Sequence, residues 1–100
     1  MKSKEEIKQV LNKVQDHLDS LQGDGASFLF VANDDNRFVM SGHTHLIAAQ
    51  IVFAMMRYPV VRDIIRDCAN HFDVLNARHG DDVRNIKMDH LIEEISEIEK

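Results

Sequence analysis

The chain has 100 residues, 44% of them hydrophobic and 29% charged, with one proline, four glycines and no tryptophan, an ordinary composition for a folded globular domain. Folding at this length buries roughly 60 to 70% of the surface of the unfolded chain, enough for one core but not for a scaffold plus a separate substrate domain. Seventeen acidic residues against twelve basic ones give a formal charge of −5, which disfavours nucleic acid as the main partner, because binding to a phosphate backbone is driven by Lys and Arg.

The expectation is therefore a single α+β domain over residues 1–100. Its one cysteine, Cys68, cannot form an internal disulfide, and the opening residues lack the apolar stretch of a signal peptide, so a reducing, cytoplasmic setting is expected. The longest apolar run, around Leu46 to Met56, is too short for a membrane span of about 20 residues.

In chain order, Ile7, Val10, Leu11, Val14, Leu18 and Leu21 recur at three- and four-residue steps from Ser3 onward, predicting an amphipathic helix of about five turns. Ser3 and Glu6 fit a capping box, and Gly23 stands where a left-handed residue often closes a helix. Phe28 to Val31 and Arg37 to Met40 then flank the polar turn 33–36, which predicts a β-hairpin. Both faces of its first strand are apolar, and a lone hairpin is marginal, so helices or strands from a second copy must cover it.

After Ser41-Gly42, the run from Leu46 to Met56 is apolar on nearly every side, predicting a buried central helix, covered by neighbours or by a partner chain. Pro59 breaks or kinks it and suits the first turn of the next helix. There Val61, Ile64, Ile65, Cys68, Ala69 and Phe72 are expected to face inward, with Arg62, Asp63, Arg66 and Asp67 outside. Residues 76–85 carry loop chemistry. A final helix beginning near Asn85 has Met88, Leu91, Ile92, Ile95 and Ile98 as its apolar stripe, with Asp89, Glu93, Glu94, Glu97 and Glu99 making the opposite face acidic.

The segment Gly42-His43-Thr44-His45 is similar to the Gly-His-x-His segment that supplies metal ligands in the calcineurin-like metallophosphoesterases. That family also needs an upstream Asp-x-His, a Gly-Asp pair with a further aspartate and an Asn-His segment. This chain lacks the set, so none of those roles transfers. A simpler site for zinc or another divalent metal depends on local conformation. In an extended segment His43 and His45 point the same way, whereas on a helix they lie about 200° apart. His71, His79, Asp81, Cys68 and His90 are the further ligand candidates. Cys68 falls inside an apolar stripe and is expected to be a buried, inert thiol, while Asp34-Asp35 and Asp81-Asp82 suit turn formation more than acid–base chemistry.

No complete catalytic set is present. The order of a charged helix, a hairpin with an acidic turn, Ser-Gly, an apolar helix, proline and a further amphipathic helix resembles that of small uncharacterised bacterial and mobile-element α+β proteins. That resemblance implies no particular activity. The expected function is a small non-catalytic interaction or accessory module, homodimeric through its hairpin or central helix, with acidic helices presented to another protein. The alternative is a metal- or anion-binding protein, or a metal-dependent enzyme, built on His43 and His45. A third reading has the acidic surface imitating nucleic acid at a basic partner site.

Overall fold

A computed structural model describes all residues from Met1 to Lys100. Its elements are α1 (Lys4–Asp19), β1 (Phe28–Ala32), β2 (Arg37–Ser41), α2 (Thr44–Arg57), α3 (Pro59–His79), a 3-10 turn (Gly80–Asn85) and α4 (Met88–Ile98). The expected α+β layout of helices around one antiparallel hairpin is present. The chain divides into two compact units, Met1–Val52 and Phe53–Lys100, with the boundary inside α2.

In the first unit the capping box forms as read: the Glu6 amide donates to Ser3 Oγ at 3.2 Å, and the Ser3 amide donates to Glu6 Oε1 at 3.5 Å. The helix stops earlier than the apolar spacing predicts. Ser20 Oγ donates to the His17 carbonyl at 2.6 Å, and the amides of Leu21 and Gln22 bond three residues back. This tightening takes Leu21 out of the helix and leaves it exposed.

The hairpin pairs Phe28 with Ser41, Phe30 with Val39 and Ala32 with Arg37 on one face, and Leu29 with Met40 and Val31 with Phe38 on the other. Every residue of the first set is half-buried, and every residue of the second is exposed. Arg37 fastens the turn to α1. Its Nε and Nη2 donate to the two Asp34 oxygens at 3.1 and 2.7 Å, Nη1 donates to Gln15 Oε1 at 2.6 Å, and Nη2 also donates to Asn12 Oδ1 at 2.7 Å. Asp34 is thus the partner of a nearly buried guanidinium, a role that turn chemistry alone does not suggest. The Arg37 hydrogen bonds hold its carboxyl below the ordinary aspartate value.

In the second unit, Tyr58 is extended and Pro59 opens α3, so the break falls where the proline places it. The helix then runs through 76–79, which the sequence assigns to a loop, and ends at Gly80 with φ +57°. Leu75, 4% exposed, and the half-buried His79 are covered at this end, so the extra turn is stabilised by burial that the local chemistry does not reveal. Residues 80–85 are 3-10, and α4 begins at Met88, not near Asn85. Its covered face is Leu91, Glu94, Ile95 and Ile98, whereas Met88 and Ile92 of the expected stripe are exposed.

Three burial expectations need correction. Helix α2 is not buried within one chain: Ile47 is 7% exposed, but Leu46, Val52, Phe53 and Met56 are open to solvent. The expected inner face of α3 is also bare, with Ile64, Ile65, Cys68, Ala69 and Phe72 all exposed and Val61 half-buried. Cys68 is therefore an exposed free thiol and not a buried one. For residues 61–69 the cause is length, and Phe72 lies on a face that α4 does not meet. Helix α4 has 11 residues against 21 in α3, and its last residues meet α3 at His71, where Nε2 lies 3.1 Å from Glu99 Oε1.

Candidate functional site

The local choice that controls the histidine pair falls between the two simple cases. Strand β2 ends at Ser41, Gly42 takes φ +95°, and α2 begins at Thr44. A Cβ at Gly42 would collide with Ser27, whose Oγ accepts the His43 amide at 3.0 Å. Both the left-handed φ and the close approach therefore require glycine here. His43 stands just before the helix, with its carbonyl accepting the amides of Leu46 and Ile47 at 3.1 and 3.2 Å.

Because His43 is not itself helical, the two side chains are not thrown to opposite sides. The rings of His43 and His45 have centroids 5.7 Å apart, tilted by 40°, and both residues are exposed. Nowhere in the chain do three or more His, Cys, Asp or Glu side chains gather in a way that could hold a metal ion. The pair offers two neighbouring imidazoles to solvent, without the third and fourth protein donors of a structural zinc centre.

A second polar cluster, which no motif in the sequence marks, joins α3 and α4. Glu94 is 9% exposed, and its Oε1 and Oε2 lie 2.9 and 3.0 Å from His79 Nε2. Arg78 Nη1 approaches Oε1 at 3.5 Å, and His90 Nε2 is 3.8 Å from Oε2. The His79 hydrogen bond, helped by the charges of His79 and His90 and by Arg78, holds the Glu94 carboxyl below its ordinary value against the opposing effect of burial. The arrangement straps α4 to the end of α3. Its donors are already spent on one another, so no open position faces a substrate.

The signal for Glu94 was available: it sits three residues after Leu91 and four before Ile98, on the covered face of α4, and His90 precedes it by four. Glu93 and Glu97 beside it are exposed, so the acidic residues of α4 do not share one solvated face. Of the other histidine candidates, His79 and His90 join Glu94, whereas His71 pairs with Glu99 and keeps a buried Nδ1 without a partner. Asp81 is exposed in the 3-10 turn.

The remaining candidate surfaces are apolar. On the hairpin's outer face Leu29 is 41% exposed, Met40 50%, Val31 63% and Phe38 65%. Cross-strand pairs of this kind normally stabilise a sheet from a covered face, and soluble monomers rarely leave such side chains contiguous and bare. The bare residues begin at Tyr58, just before α3, and continue along the helix through Val60, Ile64 and Ile65 to Phe72. Two basic side chains nearby have partners within the chain. Arg57 stacks over the Phe53 ring at 4.5 Å, and Arg62 pairs with Asp63 at 3.2 Å. No helix is long and apolar enough to cross a membrane. Comparison of the chain with protein-family models, with curated proteins and with solved structures found no match.

Proposed function

We propose that the chain is a small non-catalytic interaction module that works as a homodimer, with its apolar faces completed by a second copy. The observation that carries this reading is the imbalance of burial: Ile47 and Leu75 are the only buried hydrophobic residues, while large apolar side chains on the hairpin, α2 and α3 stay in water.

Native mass spectrometry and light scattering on untagged protein test the reading. A dimer that dissociates on dilution is expected, and a monomer persisting at concentrations of about 100 μM, well above an ordinary micromolar Kd, would overturn it. The same spectrum addresses the runner-up, a metal- or anion-binding protein, which is favoured by the adjacent imidazoles of His43 and His45. A stoichiometric zinc adduct lost in His43→Ala/His45→Ala would support that alternative. Its absence at saturating zinc would remove it.

A further inference from the structure

We infer that His43 and His45 form half of a zinc site and that a second copy of the chain supplies the other half, so that one ion is held by four imidazoles between two protomers. The inference rests on the self-association and the metal reading proposed above, and it joins them at one place.

The first argument is availability. His71, His79 and His90 are each engaged by a glutamate of α4. His43 bonds through its backbone alone, and neither its ring nor that of His45 has a hydrogen bond or ion pair within the chain. Their backbones are nonetheless fixed. The His43 amide donates to Ser27 Oγ at 3.0 Å, its carbonyl accepts the Leu46 and Ile47 amides, and His45 belongs to the first turn of α2. Two imidazoles on one tetrahedral zinc, with Zn–N bonds of about 2.0 Å, have ring centroids about 5 Å apart. Small side-chain rotations, which exposed rings make readily, bring the observed 5.7 Å to that value.

The second argument is the missing donors. A structural zinc ion takes four protein ligands, and the chain places no third His, Cys, Asp or Glu to join this pair. The first turn of α2 has no acidic side chain to serve. In an isologous pair, residues beside the two-fold axis meet their own copies. An axis next to the histidines therefore turns two donors into four.

The third argument is charge. From Phe38 to Met56 the sequence has no Lys, Arg, Asp or Glu, so two copies approaching through this stretch set no like charges against each other. Met40 and Leu46, which bracket the histidines in the chain, are 50% and 43% exposed, and the approach takes apolar surface out of water as well. The chain as a whole carries a formal charge of −5, and a divalent cation between two such chains offsets part of their repulsion.

The test titrates the untagged protein with zinc chloride at neutral pH, with the dimer Kd read by sedimentation and the metal count by native mass spectrometry. The expected result is one zinc per two chains and, with free zinc about tenfold above its own Kd, a dimer Kd lowered about tenfold. Magnesium, which prefers oxygen ligands, should have no effect. His43→Ala and His45→Ala should each abolish the zinc effect with unchanged helix content by circular dichroism. His17→Ala, which removes an exposed imidazole from α1, should keep it. A zinc-linked dimer that survives in His43→Ala/His45→Ala would overturn the inference. One zinc per chain with an unchanged dimer Kd would overturn the bridge and leave the pair as a metal site. No zinc uptake by the parent would overturn the bridge and the metal reading together and leave the dimer reading standing. A chain that is monomeric without zinc and dimeric with it would support the bridge and overturn the metal-free dimer.

Discussion

Leu75 and Phe72 lie one turn apart on α3, yet Leu75 is 4% exposed and Phe72 57%. Both side chains are large and apolar, and their surroundings are opposite. In the C-terminal half, α4 and the 3-10 turn return over the helix, and Glu94 bonds back to His79 at 2.9 Å. In the N-terminal half nothing within the unit returns. An amphipathic pattern states that a face must be covered. It does not state that its own chain does the covering.

Substitutions can break this comparison, and the largest effect is expected at Leu75. Leu75→Ala removes a side chain from a closed site and should cost about 2–5 kcal/mol in denaturant unfolding. A loss no larger than that of an exposed residue would mean that the covered half is not packed. A smaller loss, about 1 kcal/mol, is expected for Ser3→Ala, which removes the cap of α1 in the other unit. It serves as the reference for a local effect that leaves α3 untouched.

The strap on the covered half is tested by pH. The Glu94 carboxyl is held below its ordinary value by His79 first, and by His90 and Arg78 as well. A lowered folded-state pKa favours folding at pH values above the ordinary glutamate value. That contribution disappears as pH falls through the folded-state value. Glu94→Gln should therefore be less stable than the parent at neutral pH, with the difference shrinking in acid. A difference independent of pH would show that the carboxylate charge is not what matters. The smallest effect on the isolated fold belongs to the exposed side chain of the pair. Phe72→Ser should change monomer stability by no more than about 0.5 kcal/mol, as surface substitutions do, and should act mainly on self-association. A large loss in a dilute monomer would show that Phe72 is covered by its own chain.

The hairpin repeats the contrast. Its inner face is half-buried and fastened to α1 through Arg37, and its outer face is as apolar and bare. Arg37 also shows how far local reading reaches. The acidic turn and the strand after it are legible from 33–40, because hairpin turns have strong chemical preferences. The partners of Arg37 on α1, Asn12 and Gln15, stand more than twenty residues earlier, where no local rule connects them.

The same division runs through the candidate site. Gly42 and the start of α2 are readable, and they place His43 and His45 at a helix entrance. Whether those two rings diverge or stand 5.7 Å apart depends on the backbone angles between them, at His43 and Thr44, and Ser27 holds the His43 amide from sixteen residues upstream. Glu94 borders the stripe of Leu91, Ile95 and Ile98, so its place was legible in the spacing, but its partner His79, fifteen residues earlier, was not.

What the sequence by itself determined is the order and type of the elements: the capped first helix, the hairpin, the apolar helix after Gly42, the break at Pro59 and the amphipathic helices beyond it. Caps, turns, prolines and short-range periodicity act within a few residues, and their physics is local. Only the tertiary structure decided which apolar faces are covered, that α3 extends to His79, that Glu94 turns inward and that Cys68 lies in solvent. Those outcomes depend on how far α4 reaches along α3, a matter of distance in space that no local pattern records.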